Sequence, residues 1–252
     1  GMAALLVAAW LLGHAGLLGT ATAWVMCAVP SAFQLAVLVR WYRWRSAQIK
    51  RDPHAQPVLI RLPWTRPLLA GPIALRMVAA ACPPGTLWAV EAFAYDVTLY
   101  HLQAPLEWQQ RGAIEGLTHN VYSYLPNLVE VGYLMLGEMR ASVRDAVFAA
   151  QVFHATLGLL AAAAIGQLVA RLTSAAVGVV AAAAMLSMGW VLVTASLAYS
   201  EMGVLAMAAA ALLVLFGPGG RLKHGVGVAG ALCGVATLCK LTAGVFIALP
   251  LG

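Results

Sequence analysis

The sequence predicts an all-α protein: a polytopic bundle of transmembrane helices with one long external loop that carries amphipathic helices. Three observations predict it. The chain of 252 residues is 62% hydrophobic and only 10% charged, whereas soluble domains run near 45–50% apolar and about 25% charged. Its apolar stretches reach membrane-crossing length without the period-2 alternation of a membrane β-strand. The polar residues, by contrast, are gathered. Residues 91–130, EAFAYDVTLYHLQAPLEWQQRGAIEGLTHNVYSYLPNLVE, form one polar and aromatic island.

Residues 2–39 are too long for a single span of about 20 residues, and Gly13, Gly16 and Gly19 offer a turn. A hairpin of helices over 2–18 and 20–39 follows, with one bent span as the alternative. The next segment, 40–67, sets Arg40, Arg43, Arg45, Lys50, Arg51, Arg61 and Arg66 against the single acid Asp52. Such a basic loop between spans marks the cytoplasmic side, and Trp41, Tyr42 and Trp44 suit the aromatic belt beside it. A third span covers 68–82 and ends at Pro83-Pro84. Arg76 inside it either snorkels toward the cytoplasm or faces a cavity.

The external loop, 83–145, comes next. Tyr95, Leu99, Leu102 and Leu106 fall at i, i+4, i+7 and i+11, an amphipathic helical stripe. Pro105 suits the first turn of a helix reaching Gly112. Pro126 introduces another, with Leu128, Val131 and Met135 on one face. Span 146–170 returns to Arg171, span 174–197 leads to the turn Ala198–Glu201, and span 202–216 returns to Arg221 and Lys223. The seventh, 225–249, passes outward by Lys240. Every basic cluster then lies on one side. The sequence shows no repeat and no second domain, and it stops inside an apolar run, which reads as a chain cut short.

The net charge of +6 is concentrated in the basic segment and is no nucleic-acid footprint. Cys27, Cys82, Cys233 and Cys239 sit in or beside apolar runs without metal-type spacing or a disulfide framework, and are expected as packing residues.

Several residues suit chemistry. Asp96 stands at the mouth of a span among aromatics, where it serves as a helix N-cap, a functional carboxylate, or both. Glu201 sits at the turn between two apolar spans, either solvated or functional. The two acids belong to one membrane face, and paired carboxylates are what a divalent metal or a general base requires. Glu91 opens the island and Glu130 closes it. His101 and His119 are ligands, substrate contacts or hydrogen-bonded scaffolding, and His154 is expected inside a span. Lys240 either snorkels or neutralises a phosphate.

The segments PPGTLWAVEAFAYDVTLYHLQAPLEWQQRGAI and HNVYSYLPNLVEVGYLM resemble the first external loop of bacterial GT-C superfamily glycosyltransferases. Those include the protein O-mannosyltransferase and aminoarabinose transferase families. LAYSEMGVLAMAAAALLV resembles their second acidic turn, and GVGVAGALCGVATLCKLTAGVFIALPL their glycine-rich helix ending in lysine. The likeness covers roughly residues 80–250.

The resemblance implies transfer of a sugar from a polyprenyl-phosphate-linked donor to an acceptor hydroxyl on the external face of the bacterial plasma membrane. It implies Asp96 and Glu201 as catalytic residues, and as the ligands of a divalent metal ion where one is used. His101, Arg111, His119, Glu130, Tyr199 and Lys240 are read from the residues themselves as substrate contacts. The partners would be the lipid-linked donor, a glycan, lipid or protein acceptor, and membrane lipids, with no nucleic acid. Many members carry Asp where Glu201 stands, and an adjacent acid pair where Glu91 and Asp96 are separated. The rival readings are a small-solute transporter with Arg76, His154 and Lys240 along its pathway, or a polymerase or ligase of lipid-linked glycans.

Overall fold

A computed structural model describes residues 1–51, 64–88, 95–217 and 223–251. Glu91, Asp52, Arg61 and Arg221 lie outside the described residues. Among those described, every regular element is helical. They are α1 (Met2–His14), α2 (Thr20–Arg51), α3 (Thr65–Ala80), a π-helix (Val97–His101), α4 (Gln103–Arg111), a 3₁₀ turn (Val121–Tyr124) and α5 (Leu128–Arg140). Then come α6 (Val147–Leu172), α7 (Ala175–Ser187), α8 (Gly189–Ala195), α9 (Glu201–Leu215) and α10 (Lys223–Cys239). A π-helical stretch, Gly244–Ala248, runs into a final turn, Leu249–Leu251.

Two of these, Thr20–Gln48 of α2 and Val147–Leu172, are long and apolar enough to cross a membrane, and they mark the chain as a membrane protein. A third crossing results if the bent pair α7 and α8 counts as one span. Met2–His14, Glu201–Leu215 and Gly225–Cys239 are apolar but shorter.

Three expected boundaries move. First, α2 does not stop at residue 39 but continues to Arg51, so Arg40, Arg43 and Arg45 lie on a helix and not in a loop. Between Pro30 and Pro53 there is no Pro or Gly to end it, and basic residues are favoured near a helix C-terminus. Second, the span expected over 174–197 breaks at Met188, whose backbone is extended (φ −65°, ψ 121°), and bends by 67°. The break frees carbonyls at the end of α7, and Arg76 donates from Nη2 to Leu186 O at 3.3 Å. Arg76 is fully buried and turned inward, so it does not snorkel. Third, the final span is interrupted at Lys240, where Ala243 N–H bonds to Lys240 O at 2.9 Å and the chain turns.

Helix α6 is central, packed against α7 on one side and α9 on the other, while α10 lies on α9. Small residues permit this. A Cβ on Gly178 of α7 would run into the Gly166 carbonyl of α6, so these backbones meet directly. Helix α5 rests on α1, α2 and α4. The main core joins Leu6, Val97, Leu102, Leu128, Tyr133, Leu157, Leu197 and Met202.

Over residues 95–146 the segment leading to α6 is largely helical. Its stripe is not the predicted one. Leu102 and Leu106 are buried, but Tyr95 is 54% and Leu99 36% exposed. The cause is the π-helix. Its closing bond runs from Leu102 N–H to Val97 O at 3.1 Å, which inserts a residue and turns Val97 and His101 inward. Gly112, at φ +74°, ends α4. Beyond it, Asn120 Nδ2 donates to Leu99 O at 2.9 Å, and Ser123 Oγ accepts from Leu117 N–H at 2.7 Å. Trp108 Nε1 donates to Glu115 O at 2.8 Å, and Ile114 N–H reaches Gly13 O at 3.0 Å, fastening the segment to α1.

Candidate functional site

Four segments meet around one polar cluster, buried at His101, Glu130, Tyr133 and Tyr199. The π-helix contributes Tyr100 and His101, with Asp96 just before it, and the first turns of α5 contribute Glu130 and Tyr133. Tyr199 and Glu201 come from the turn into α9, and Lys240 from the end of α10.

The turn is held from two sides. His154 of α6 donates from Nδ1 to Leu197 O at 2.7 Å and accepts the Met202 N–H on Nε2 at 3.1 Å. Both ring nitrogens are thereby satisfied and the tautomer is fixed. The Tyr133 hydroxyl donates to Tyr199 O. Residues 197–200 are consequently all buried, so this turn is packed within the protein.

Glu201 opens α9, where a carboxylate is favoured by the helix dipole. One oxygen accepts from the Lys240 ammonium and the other from Ser200 N–H at 3.1 Å. Lys240 is thus an ion-pair partner. The expected pairing of Asp96 with Glu201 on a divalent ion finds a protein cation already at Glu201. Among the described residues no group of three His, Cys, Asp or Glu side chains is arranged to hold a metal.

Beside Glu201 is a second pair. His101 Nδ1 donates to Glu130 Oε1 at 2.5 Å, and both residues are 1% exposed. Three polar atoms of this neighbourhood have no partner: His101 Nε2, Glu130 Oε2 and the Tyr199 hydroxyl. The His101 and Tyr199 rings lie 5.2 Å apart, and the Tyr100 ring lies 4.1 Å from His101. The Tyr100 hydroxyl hydrogen-bonds the Asp96 carboxylate. Burial, then the charges of Asp96, Glu130 and Glu201, and then that hydrogen bond push the Tyr100 hydroxyl well above the ordinary phenol range. All three acids therefore act on one hydroxyl. Asp96 makes no capping bond to the helix it precedes, so the N-cap alternative does not describe its side chain.

Six of the expected site residues, Asp96, His101, Glu130, Tyr199, Glu201 and Lys240, are brought together. Arg111 and His119 are not. Arg111 pairs with Glu115 at 2.6 Å on the surface, and His119 Nε2 meets Glu107 at 3.1 Å, where Gln103 Nε2 also donates at 2.7 Å. Burial works to raise the Glu107 carboxyl. The Gln103 and His119 hydrogen bonds and the charges of His119 and Arg111 outweigh it and hold the group below its usual range. Glu107 and His119 form a wall of a cleft of about 370 Å³ that Tyr95 and Tyr122 also line. Tyr122 stacks on Tyr100 with ring centroids 4.3 Å apart, so the cleft is separated from His101 by two aromatic rings.

Tyr100 and Tyr133 were not singled out from the sequence. The signal for Tyr100 was its i+4 spacing from Asp96, and for Tyr133 its i+3 spacing from Glu130.

Comparison with protein-family models, with curated proteins and with solved structures finds no match.

Proposed function

We propose that the chain is a multi-pass membrane glycosyltransferase of the GT-C kind, in the plasma membrane of a bacterium. It transfers a sugar from a polyprenyl-phosphate donor to an acceptor hydroxyl on the external face. One observation carries this reading: Asp96, His101, Glu130, Glu201 and Lys240, spread over 145 positions of an apolar chain, converge on one cluster.

The physical logic fits the cluster. A polyprenyl-phosphate sugar is half lipid, so its headgroup must be met by polar groups anchored among apolar helices. Transfer needs a proton acceptor for the incoming hydroxyl and a cation near the departing phosphate. Carboxylates and an imidazole supply the first, and Lys240, held by Glu201, supplies the second. The transporter alternative loses one of its pathway residues, because His154 is satisfied at both nitrogens.

The test is donor consumption by the purified chain in lipid nanodiscs, with polyprenyl-phosphate mannose and then a polyprenyl-phosphate pentose. Asp96→Asn and Glu201→Gln should each slow it by at least about tenfold, the low end for a lost site group, while the protein stays folded. Folded variants that turn over at the wild-type rate would remove the assignment. The topology has its own test. Cysteines at positions 50 and 115 should label from opposite sides, and same-side labelling contradicts the external placement of the loop.

A further inference from the structure

The geometry points to His101, oriented by Glu130, as the catalytic base that takes the acceptor's proton, with Asp96 as a positioning residue acting through Tyr100. This rests on the glycosyltransfer reading and names who performs its proton step.

The starting point is a buried group left unpaired. A polar atom cut off from water and without a partner costs on the order of 1–3 kcal/mol, so a chain keeps one where the atom has work to do. His101 Nε2 is such an atom, on a ring 1% exposed. Its other nitrogen is fully engaged. With the proton on Nδ1 donated to the Glu130 carboxylate at 2.5 Å, Nε2 presents a lone pair on the edge of the ring away from Glu130. A carboxylate that fixes the tautomer of an imidazole and leaves Nε2 bare is the general-base arrangement of acyl-transfer triads. Here it serves a hydroxyl.

Glu130 faces His101 from α5, and Glu201 and Tyr199 face it from the turn into α9. His154 faces it from α6, and Tyr100 from its own helix. Lys240 sits on Glu201, and Asp96 on Tyr100. His154 is fixed by two backbone bonds and does not compete for the proton. Asp96 already accepts from Tyr100, whereas Nε2 accepts from nothing. The cleft lined by Tyr95 and Tyr122 ends at the Tyr122–Tyr100 stack, whose inner ring lies against His101.

The step balances. The acceptor O–H bond breaks and its proton goes to His101 Nε2. The acceptor oxygen forms a bond to the anomeric carbon. The bond from that carbon to the donor phosphate breaks, and its electron pair leaves on the phosphate oxygen toward Lys240. The imidazolium is held by Glu130 until it returns the proton to water.

The experiment compares pH–rate profiles of polyprenyl-phosphate mannose consumption in nanodiscs for wild type, His101→Gln, Glu130→Gln and Asp96→Asn. The wild-type rate should rise with pH through one titration. His101→Gln should lose that limb and about 10²–10⁴-fold in rate, with KM for the donor little changed. Glu130→Gln should be slow but keep a limb, and Asp96→Asn should keep the wild-type limb. A limb that survives in His101→Gln and vanishes in Asp96→Asn overturns the inference and leaves the glycosyltransferase reading standing. No consumption by folded wild type removes that reading. Independently of consumption, ¹⁵N NMR of His101, assigned by its absence in His101→Gln, tests the arrangement: the proton should sit on Nδ1 with Nε2 bare, and a ring protonated on Nε2 instead overturns the inference.

Discussion

Lys240, at the break that ends α10, donates its ammonium to Glu201, the first residue of α9. A lysine that could have snorkelled is tied to an acid 39 positions away. The pair joins two helix ends that no local rule brings together.

Lys240→Met should therefore destabilise the protein. The two side chains keep 39% and 34% of their exposure, so the loss falls between that of a surface pair and a buried one, about 1–2 kcal/mol. Lys240→Met with Glu201→Gln should recover part of it, because the unpaired carboxylate is gone. Thermal unfolding in detergent reads this directly. An unchanged midpoint in the single variant would show that the pair contributes nothing.

His154→Leu should be worse than its apolar replacement suggests. It strips the partners from Leu197 O and Met202 N–H, at about 1–3 kcal/mol per buried group. The turn bearing Tyr199 and Glu201 should loosen, so transfer should fall with stability. A stable variant with full activity contradicts the scaffold role.

These two cases show what was legible in the sequence. The helices and the membrane class follow from composition and apolar length. The partners do not, because they depend on register. One π turn rotates His101 inward to meet Glu130, 29 positions away, and exposes Tyr95 and Leu99. A spacing count that assumes α periodicity throughout puts the wrong face inside. The break at Met188 left only a weak signal, Gly189 beside it within an otherwise apolar run. Arg111 and His119 share the polar island but stand on its surface, where residue type alone does not distinguish them from His101.

Gly203 sets the approach of α9 to α5 beside Glu201. A Cβ there would lie 2.5 Å from Val129 Cγ2 and 3.3 Å from Cys239 Sγ. Gly203→Ala should cost about 1–3 kcal/mol by overpacking. Gly227→Ala, on the exposed face of α10 with nothing within 4 Å, should stabilise by about 0.4–1 kcal/mol. Equal effects of the two in a melting assay would refute the close contact.

Glu107 predicts a pH dependence. Its carboxyl is held below the usual range, so its contribution is full above the unfolded carboxylate value, about 4.3. It is lost as the pH falls through the lower folded one. The stability difference between wild type and Glu107→Gln should be about 1 kcal/mol or less at pH 6, and should shrink below about pH 4. A difference that is flat from pH 7 to 3 contradicts the assigned partners Gln103 and His119.

The most direct measurement is the release of polyprenyl phosphate from polyprenyl-phosphate mannose or a polyprenyl-phosphate pentose by the purified, folded chain in nanodiscs. The account predicts release by wild type that falls by about 10²–10⁴-fold in His101→Gln, and by at least about tenfold in Asp96→Asn and Glu201→Gln. Folded wild type that releases nothing from either donor, or variants that release as fast as wild type, would contradict it.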